Sequence, residues 1–140
     1  MFIVDKNLIE IHTTLWYNII MKRIIIPTRI FLKDINKLLK KRSLLLKDYD
    51  DFKEELAKDP EVGDLIVGTA GCRKVRLKSA TKGKSGGFRI CYYDLTEKNK
   101  IYLLFVYAKN DKDDLEAEEK NILKGLVTTL KLEAKKYEQE

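Results

Sequence analysis

Residues 68–93 read GTAGCRKVRLKSATKGKSGGFRICYY, and the fold turns on how this run is parsed. It holds Arg73, Lys74, Arg76, Lys78, Lys82, Lys84 and Arg89, and no Asp or Glu. From Arg73 to Lys78 basic and apolar residues alternate, the period-two signature of a strand with one face in a core. Val75 and Leu77 take the inward parity, so Lys74, Arg76 and Lys78 form a ladder on the other face. Arg73 shares the inward parity and is expected at the start of the strand. Residues 79–87 (SATKGKSGG) have the composition of a mobile loop. Residues 88–95 (FRICYYDL) read as the next strand, with Phe88, Ile90 and Tyr92 on one face and Arg89, Cys91 and Tyr93 on the other. Antiparallel pairing of the two strands brings Arg89 beside Lys74 and Arg76.

Downstream, the polar run 96–100 (TEKNK) makes a hairpin turn, and 101–108 (IYLLFVYA) is apolar throughout, as in a strand covered on both faces. Residues 109–114 (KNDKDD) end it. A helix follows, with Leu115, Ile122, Leu123, Leu126, Val127 and Leu130 on one stripe and a polar, fraying end from Ala134.

Upstream, Met21–Pro27 contains a short β-type run stopped by proline. Thr28 can cap a helix that buries Ile30, Phe31, Ile35, Leu38 and Leu39. A break over 43–46 separates it from a second helix with Leu45, Tyr49, Phe52 and Leu56 at helical spacing. Asp48, Asp50, Asp51 and Glu54 lie early in that helix, where negative charge suits the dipole. Residues 59–64 read as a turn and 65–67 as a short apolar piece. The fold class is therefore α+β: an N-terminal strand and two helices packed on a small, mainly antiparallel sheet, with a C-terminal helix. Residues 1–20 stand apart as an N-terminal extension, and residues 21–140 form a single domain.

The whole chain has 140 residues, 44% hydrophobic and 36% charged, with a formal net charge of +6. That balance favours an anionic partner. The two cysteines, Cys72 and Cys91, are too few for a disulfide framework and read as reduced thiols. The uncharged run 11–21 is about half of the ~20 residues a membrane span needs. A cytoplasmic location is the expectation.

Cations converging on a sheet face bind phosphate, Arg through two-pronged hydrogen bonds and Lys as a point charge. They can also stabilise the charge that builds when a ribose 2′-OH attacks its neighbouring phosphate. No Asp or Glu falls between Asp64 and Asp94, which argues against a two-metal nuclease on this stretch, and no metal or cofactor is expected. His12 is the lone histidine and carries no role. The tyrosines Tyr92, Tyr93, Tyr102 and Tyr107 could stack on bases, but core packing accounts better for most of them.

The set Val62-Gly63-Asp64-Leu65-Ile66, Gly68-Thr69-Ala70-Gly71, Arg73-Lys74-Val75-Arg76, Lys82 to Tyr93 and Tyr107-Ala108-Lys109-Asn110 resembles the RelE/HigB superfamily of bacterial toxins, nearest its HigB-like branch. The resemblance runs from Met21 to Leu132. It implies a ribosome-dependent, metal-independent endoribonuclease that cuts translated mRNA and inhibits translation. It also implies a small helix-turn-helix antitoxin as partner, with operator DNA reached only through that antitoxin. By position, Lys74, Arg76, Arg89 and Lys109 match the family's catalytic cations. Arg73, Lys78, Lys82, Lys84 and Tyr107 are assigned to RNA or phosphate binding. RelE itself carries a tyrosine past the last strand, where Asp113-Asp114-Leu115-Glu116 has none, and Tyr107 is the nearest substitute. The final helix lacks the branch's usual Ser or Thr after Leu115, so Asp113 or Asp114 is expected to cap it. Two alternatives are a non-enzymatic gyrase inhibitor of ParE type, which shares the fold, and an inactive RNA-binding module.

Overall fold

The structure, a computed structural model, describes residues 22–81, 83–109 and 114–138, without the side chains of 83–86 and 137–138. The proposed extension (1–20), His12, Lys82 and Asp113 lie outside the described residues. The chain runs β1 (Ile24–Pro27), α1 (Arg29–Lys40), α2 (Leu46–Lys58), β2 (Asp64–Leu65), β3 (Arg73–Ser79), β4 (Gly83–Leu95), a single 3₁₀ turn (Thr96–Lys98), β5 (Lys100–Ala108) and α3 (Ala117–Glu138). The strands form one sheet in the order β1-β5-β4-β3-β2. β1 runs parallel to β5 because the α1–α2 pair carries the chain across the sheet; every other pairing is antiparallel.

Two cores form, one on each face. On the first, α1 and α2 bury Phe31, Ile35, Tyr49, Phe52 and Leu56 against Leu77, Phe88, Ile90, Tyr92, Ile101 and Leu103. On the second, α3 brings Leu123 and Val127 onto Cys91, Tyr93, Leu95 and Leu104, with Leu115 and Ile66 alongside. β5 feeds both, as its apolar run predicts. A bulge helps it: Cys91 pairs with Phe105 and Tyr92 with Leu103, so Leu104 is the extra residue and joins Phe105 in the second core.

Helix ends follow local chemistry. Thr28 caps α1, its Oγ1 accepting from Phe31 N–H at 3.3 Å. α3 is held by the reach-back half of a capping box, Glu116 N–H donating to Glu119 Oε1 at 3.0 Å. Asp114, one of two expected caps, instead accepts from Leu115 N–H at 2.8 Å, ahead of the helix. Arg23 is clamped at the start of β1: Nε donates to Asp94 Oδ1 at 2.9 Å and Nη1 to Asn99 Oδ1 at 3.0 Å.

Several boundaries differ from the sequence reading. The loop expected over 79–87 is only a tight hairpin, because β4 already begins at Gly83 and Ser79 pairs with it. The backbone pairing continues through glycines that offer no side chains to signal a strand. The turn and apolar piece around residues 59–67 contain β2, whose Asp64 and Leu65 pair with Lys74 and Arg73. Ile30 and Ile122, placed in cores by periodicity, are exposed at the margins of their stripes, and Leu45 is exposed as the N-cap of α2. α3 does not fray at Ala134; that residue packs on the second core and the helix continues to Glu138.

Candidate functional site

The β3–β4 register sets Lys74 opposite Cys91 and Arg76 opposite Arg89. On the other side of β4, Arg89 faces Tyr107 of β5. Arg76, Arg89 and Tyr107 thus make one cross-strand row on the face that α3 covers further along. Arg89 is only 8% exposed. Its side chain has one hydrogen bond among the described residues, from Nη1 to the Phe88 carbonyl at 3.3 Å. Lys74 Nζ has Asp114 Oδ1 at 3.4 Å, and Lys78 Nζ has Asp48 Oδ1 at 3.9 Å. Among the described residues no carboxylate forms an ion pair with Arg76 or Arg89. A buried guanidinium beside a second one is costly unless an anion joins them.

This row opens into a cleft of about 670 Å³. Lys74, Arg76, Lys78, Arg89 and Lys109 line its sheet side. Lys109 is fixed at the end of β5 by its N–H, which donates to the Gly87 carbonyl at 3.1 Å. The opposite wall is acidic: Asp48, Asp51 and Glu55 of α2, with Asp64 of β2 at one end.

The structure therefore gathers Lys74, Arg76, Lys78, Arg89 and Lys109 around one cleft and sets Tyr107 beside Arg89. Lys84 sits on β4, its side chain outside the described residues, as is Lys82 altogether. Arg73, assigned to RNA binding from sequence, faces the other way. It is an ordered strand residue paired with Tyr92, and its Nη1 donates to the Gly63 carbonyl at 2.7 Å. Beside it the Tyr92 hydroxyl accepts from Gly63 N–H at 2.9 Å and donates to the Pro60 carbonyl at 2.7 Å. Arg73 and Tyr92 thus latch the 60–63 segment, which delivers β2 to the sheet edge. Gly63 is forced there: a Cβ would lie 2.7 Å from the Lys74 carbonyl oxygen and 2.8 Å from the Tyr92 ring.

The acidic wall and the Lys74–Asp114 pair were not foreseen. The spacing of Asp48, Asp51 and Glu55 puts them on one helix face, a signal present in the sequence, but which strand that face meets is tertiary information.

Protonation states follow from surroundings. Burial pushes the Tyr107 phenol up to about 12, with Arg89 pulling weakly the other way. At neutral pH it is a proton donor, not a base. The Leu115 N–H, helped by Lys74, holds Asp114 below the usual carboxylate range, so it remains an anion. Burial likewise pushes the Cys72 thiol up to about 11, which leaves it unreactive.

A small α+β domain with an arginine pair that has no carboxylate partner among the described residues suits an anionic ligand, and comparison with known proteins defines the class. Residues 28–139 match the family model described as the RelE toxin of the RelE/RelB toxin–antitoxin system. The chain belongs to the RelE toxin family, and as a toxin of such a pair it has a cognate antitoxin as partner. Its fold is similar to that of a double arginine-to-alanine mutant of E. coli toxin RelE in the free state: TM-score 0.50 at 18% sequence identity, covering 66% of this chain and 88% of that one.

Proposed function

We propose that this toxin is an mRNA endoribonuclease acting on the translating ribosome, nearest the HigB-like branch, with a cytoplasmic site of action. The observation that carries the reading is the Arg76–Arg89 pair, two adjacent guanidinium groups with no described counter-ion. A bridging phosphate supplies that missing charge. Attack by the adjacent 2′-oxygen, its proton passing to solvent water, forms a 2′,3′-cyclic phosphate while the 5′-oxygen leaves and takes a proton from water; negative charge concentrates on the phosphate oxygens that Arg76 and Arg89 hold. Lys74 and Lys109 extend the cationic surface along the RNA. Tyr107, its hydroxyl buried and its strand position opposite Arg89, supports that arginine from beneath and does not reach the RNA itself. The antitoxin, in this reading a small helix-turn-helix protein, couples the pair to its operator DNA.

Brief expression in growing cells followed by mapping of mRNA 5′ ends tests this. Cuts within translated frames, suppressed when translation initiation is blocked, are expected. Intact mRNA accompanied by DNA damage would instead identify a gyrase-directed toxin.

A further inference from the structure

The lysines on either side of the arginine pair have carboxylate partners, and the arginines do not. Lys74, Arg76 and Lys78 follow one another at every second residue of β3, about 7 Å apart, and line the same cleft. A bare ladder of three cations offers a phosphate three seats. Here the outer two are taken: Asp114 Oδ1 lies 3.4 Å from Lys74 Nζ, and Asp48 Oδ1 lies 3.9 Å from Lys78 Nζ. The middle rung, where Arg76 faces Arg89, has no carboxylate partner among the described residues.

The two carboxylates come from different parts of the fold. Asp48 belongs to the first turn of α2, and its Oδ2 is buried without a hydrogen-bond partner, so Lys78 is its ion-pair partner among the described residues. Asp114 lies just ahead of α3, its Oδ1 shared between the Leu115 N–H at 2.8 Å and Lys74. The charge type matters as well. A lysine is a point charge that a phosphate can approach from many directions, whereas adjacent guanidinium groups present donors in fixed directions. Screening the lysines while leaving the arginines open therefore favours the seat with defined geometry.

Taking RNA as the ligand of the cleft, as in the function proposed above, we infer that Asp114 and Asp48 are specificity-determining residues: they screen Lys74 and Lys78 so that a phosphate seats between Arg76 and Arg89 instead of one rung to either side. The effect is on binding and does not require that the bound strand be cut.

The probe is an oligodeoxythymidylate of about ten nucleotides, which has no 2′-OH to attack, titrated onto the full-length protein over a series of salt concentrations. The slope of log K against log [salt] reports the phosphates neutralised, at about 0.7 per phosphate for a single strand. Asp114→Asn, which keeps an oxygen for the Leu115 N–H, should steepen the slope by about 0.7 and tighten binding at low salt about two- to fivefold. Asp48→Asn should do the same, and the double variant should steepen the slope about twice as much. Adding Lys74→Gln to Asp114→Asn should take the gain away. Asp50→Asn is the control: it frees Lys53, an equal change of charge outside the cleft lining, and should leave the slope as it was. A slope unmoved by Asp114→Asn and Asp48→Asn, one moved equally by Asp50→Asn, or a gain that survives Lys74→Gln would overturn the inference. So would a lowered melting temperature as the only effect, which would make both pairs structural, or an absence of binding by every form. Uncut mRNA in cells would count against the nuclease and leave steepened slopes standing, while unmoved slopes in a toxin that cuts mRNA would do the reverse.

Discussion

Arg76 and Arg89 face each other across the β3–β4 ladder, and among the described residues neither has a carboxylate partner. The neighbouring lysines do: Lys74 has Asp114 and Lys78 has Asp48. Among the described residues the arginine pair is thus a place in the sheet where two cations adjoin without a carboxylate between them. If that charge is kept for phosphate, removing it should free the fold while disabling the site. Arg89→Met is expected to lower RNA cleavage by about 10²–10³-fold while thermal stability holds or rises, since an apolar side chain of similar length replaces a buried cation beside a like charge. Single-turnover cleavage and a melting curve on the same preparation check both halves. A fall in stability as large as the fall in activity would assign Arg89 a structural role.

The latch under the cleft gives the opposite signature. Tyr92→Phe removes the hydroxyl that joins Gly63 N–H to the Pro60 carbonyl. The expected cost is about 1–3 kcal/mol in a denaturant titration. Gly63→Ala should cost more, because its Cβ would run into the Lys74 carbonyl and the Tyr92 ring. Since Gly63 immediately precedes β2, hydrogen exchange should also quicken at Ile66, whose N–H holds the β2 end of the sheet.

At the other end, Arg23 and Asp94 form a largely enclosed pair, with side chains 13% and 16% exposed. Arg23→Ala removes the guanidinium from Asp94, which keeps only the Thr96 hydroxyl at 3.2 Å, and from Asn99 Oδ1, and a loss of about 3 kcal/mol is expected. Lys58→Ala, which breaks an exposed pair with Glu54, should cost much less. Equal effects on the unfolding midpoint would contradict the difference in burial.

Tyr107 supplies a pH dependence. Its phenol ionises near 10.0 in the unfolded chain and is pushed up to about 12 in the fold. The folded state therefore holds the proton where the unfolded state has lost it, so stability is full below pH 10 and falls as pH rises towards 12. Tyr107→Phe should make that alkaline decline shallower by one group's share, leaving the shares of Tyr49, pushed up to about 12, of Cys72, pushed up to about 11, and of Tyr92 and Tyr102, which burial also raises. Unfolding measured across the window in both proteins decides it. An unchanged slope would mean that Tyr107 ionises freely.

Much of this was legible in the sequence. Strand parity alone put Lys74, Arg76 and Arg89 on one face, and the register of β3 against β4 agrees. The helical stripes gave Phe31, Ile35, Tyr49, Phe52, Leu56, Leu123 and Val127 correctly, while Ile30, Leu45 and Ile122 failed at stripe margins and helix ends, where spacing does not fix burial. β2 was illegible because two residues carry no period. Arg73 was read as part of the RNA surface although its parity pointed inward; its real partners, the Gly63 and Glu61 carbonyls, belong to a turn with no sequence signature for that contact. The carboxylate wall of α2 was hidden for a different reason: dipole compensation already explained early acidic residues, and only the packing of α2 beside β3 gives them a second neighbour.

The central claim is that Arg76 and Arg89 hold the phosphate of a messenger being cut. The most direct measurement is cleavage of an mRNA programmed into purified ribosomes, with 5′ ends mapped, comparing the unaltered toxin with Arg76→Gln and Arg89→Met. The account predicts discrete cuts in the translated frame that disappear with either variant while both remain folded. Cuts of undiminished rate from a folded double variant would contradict it.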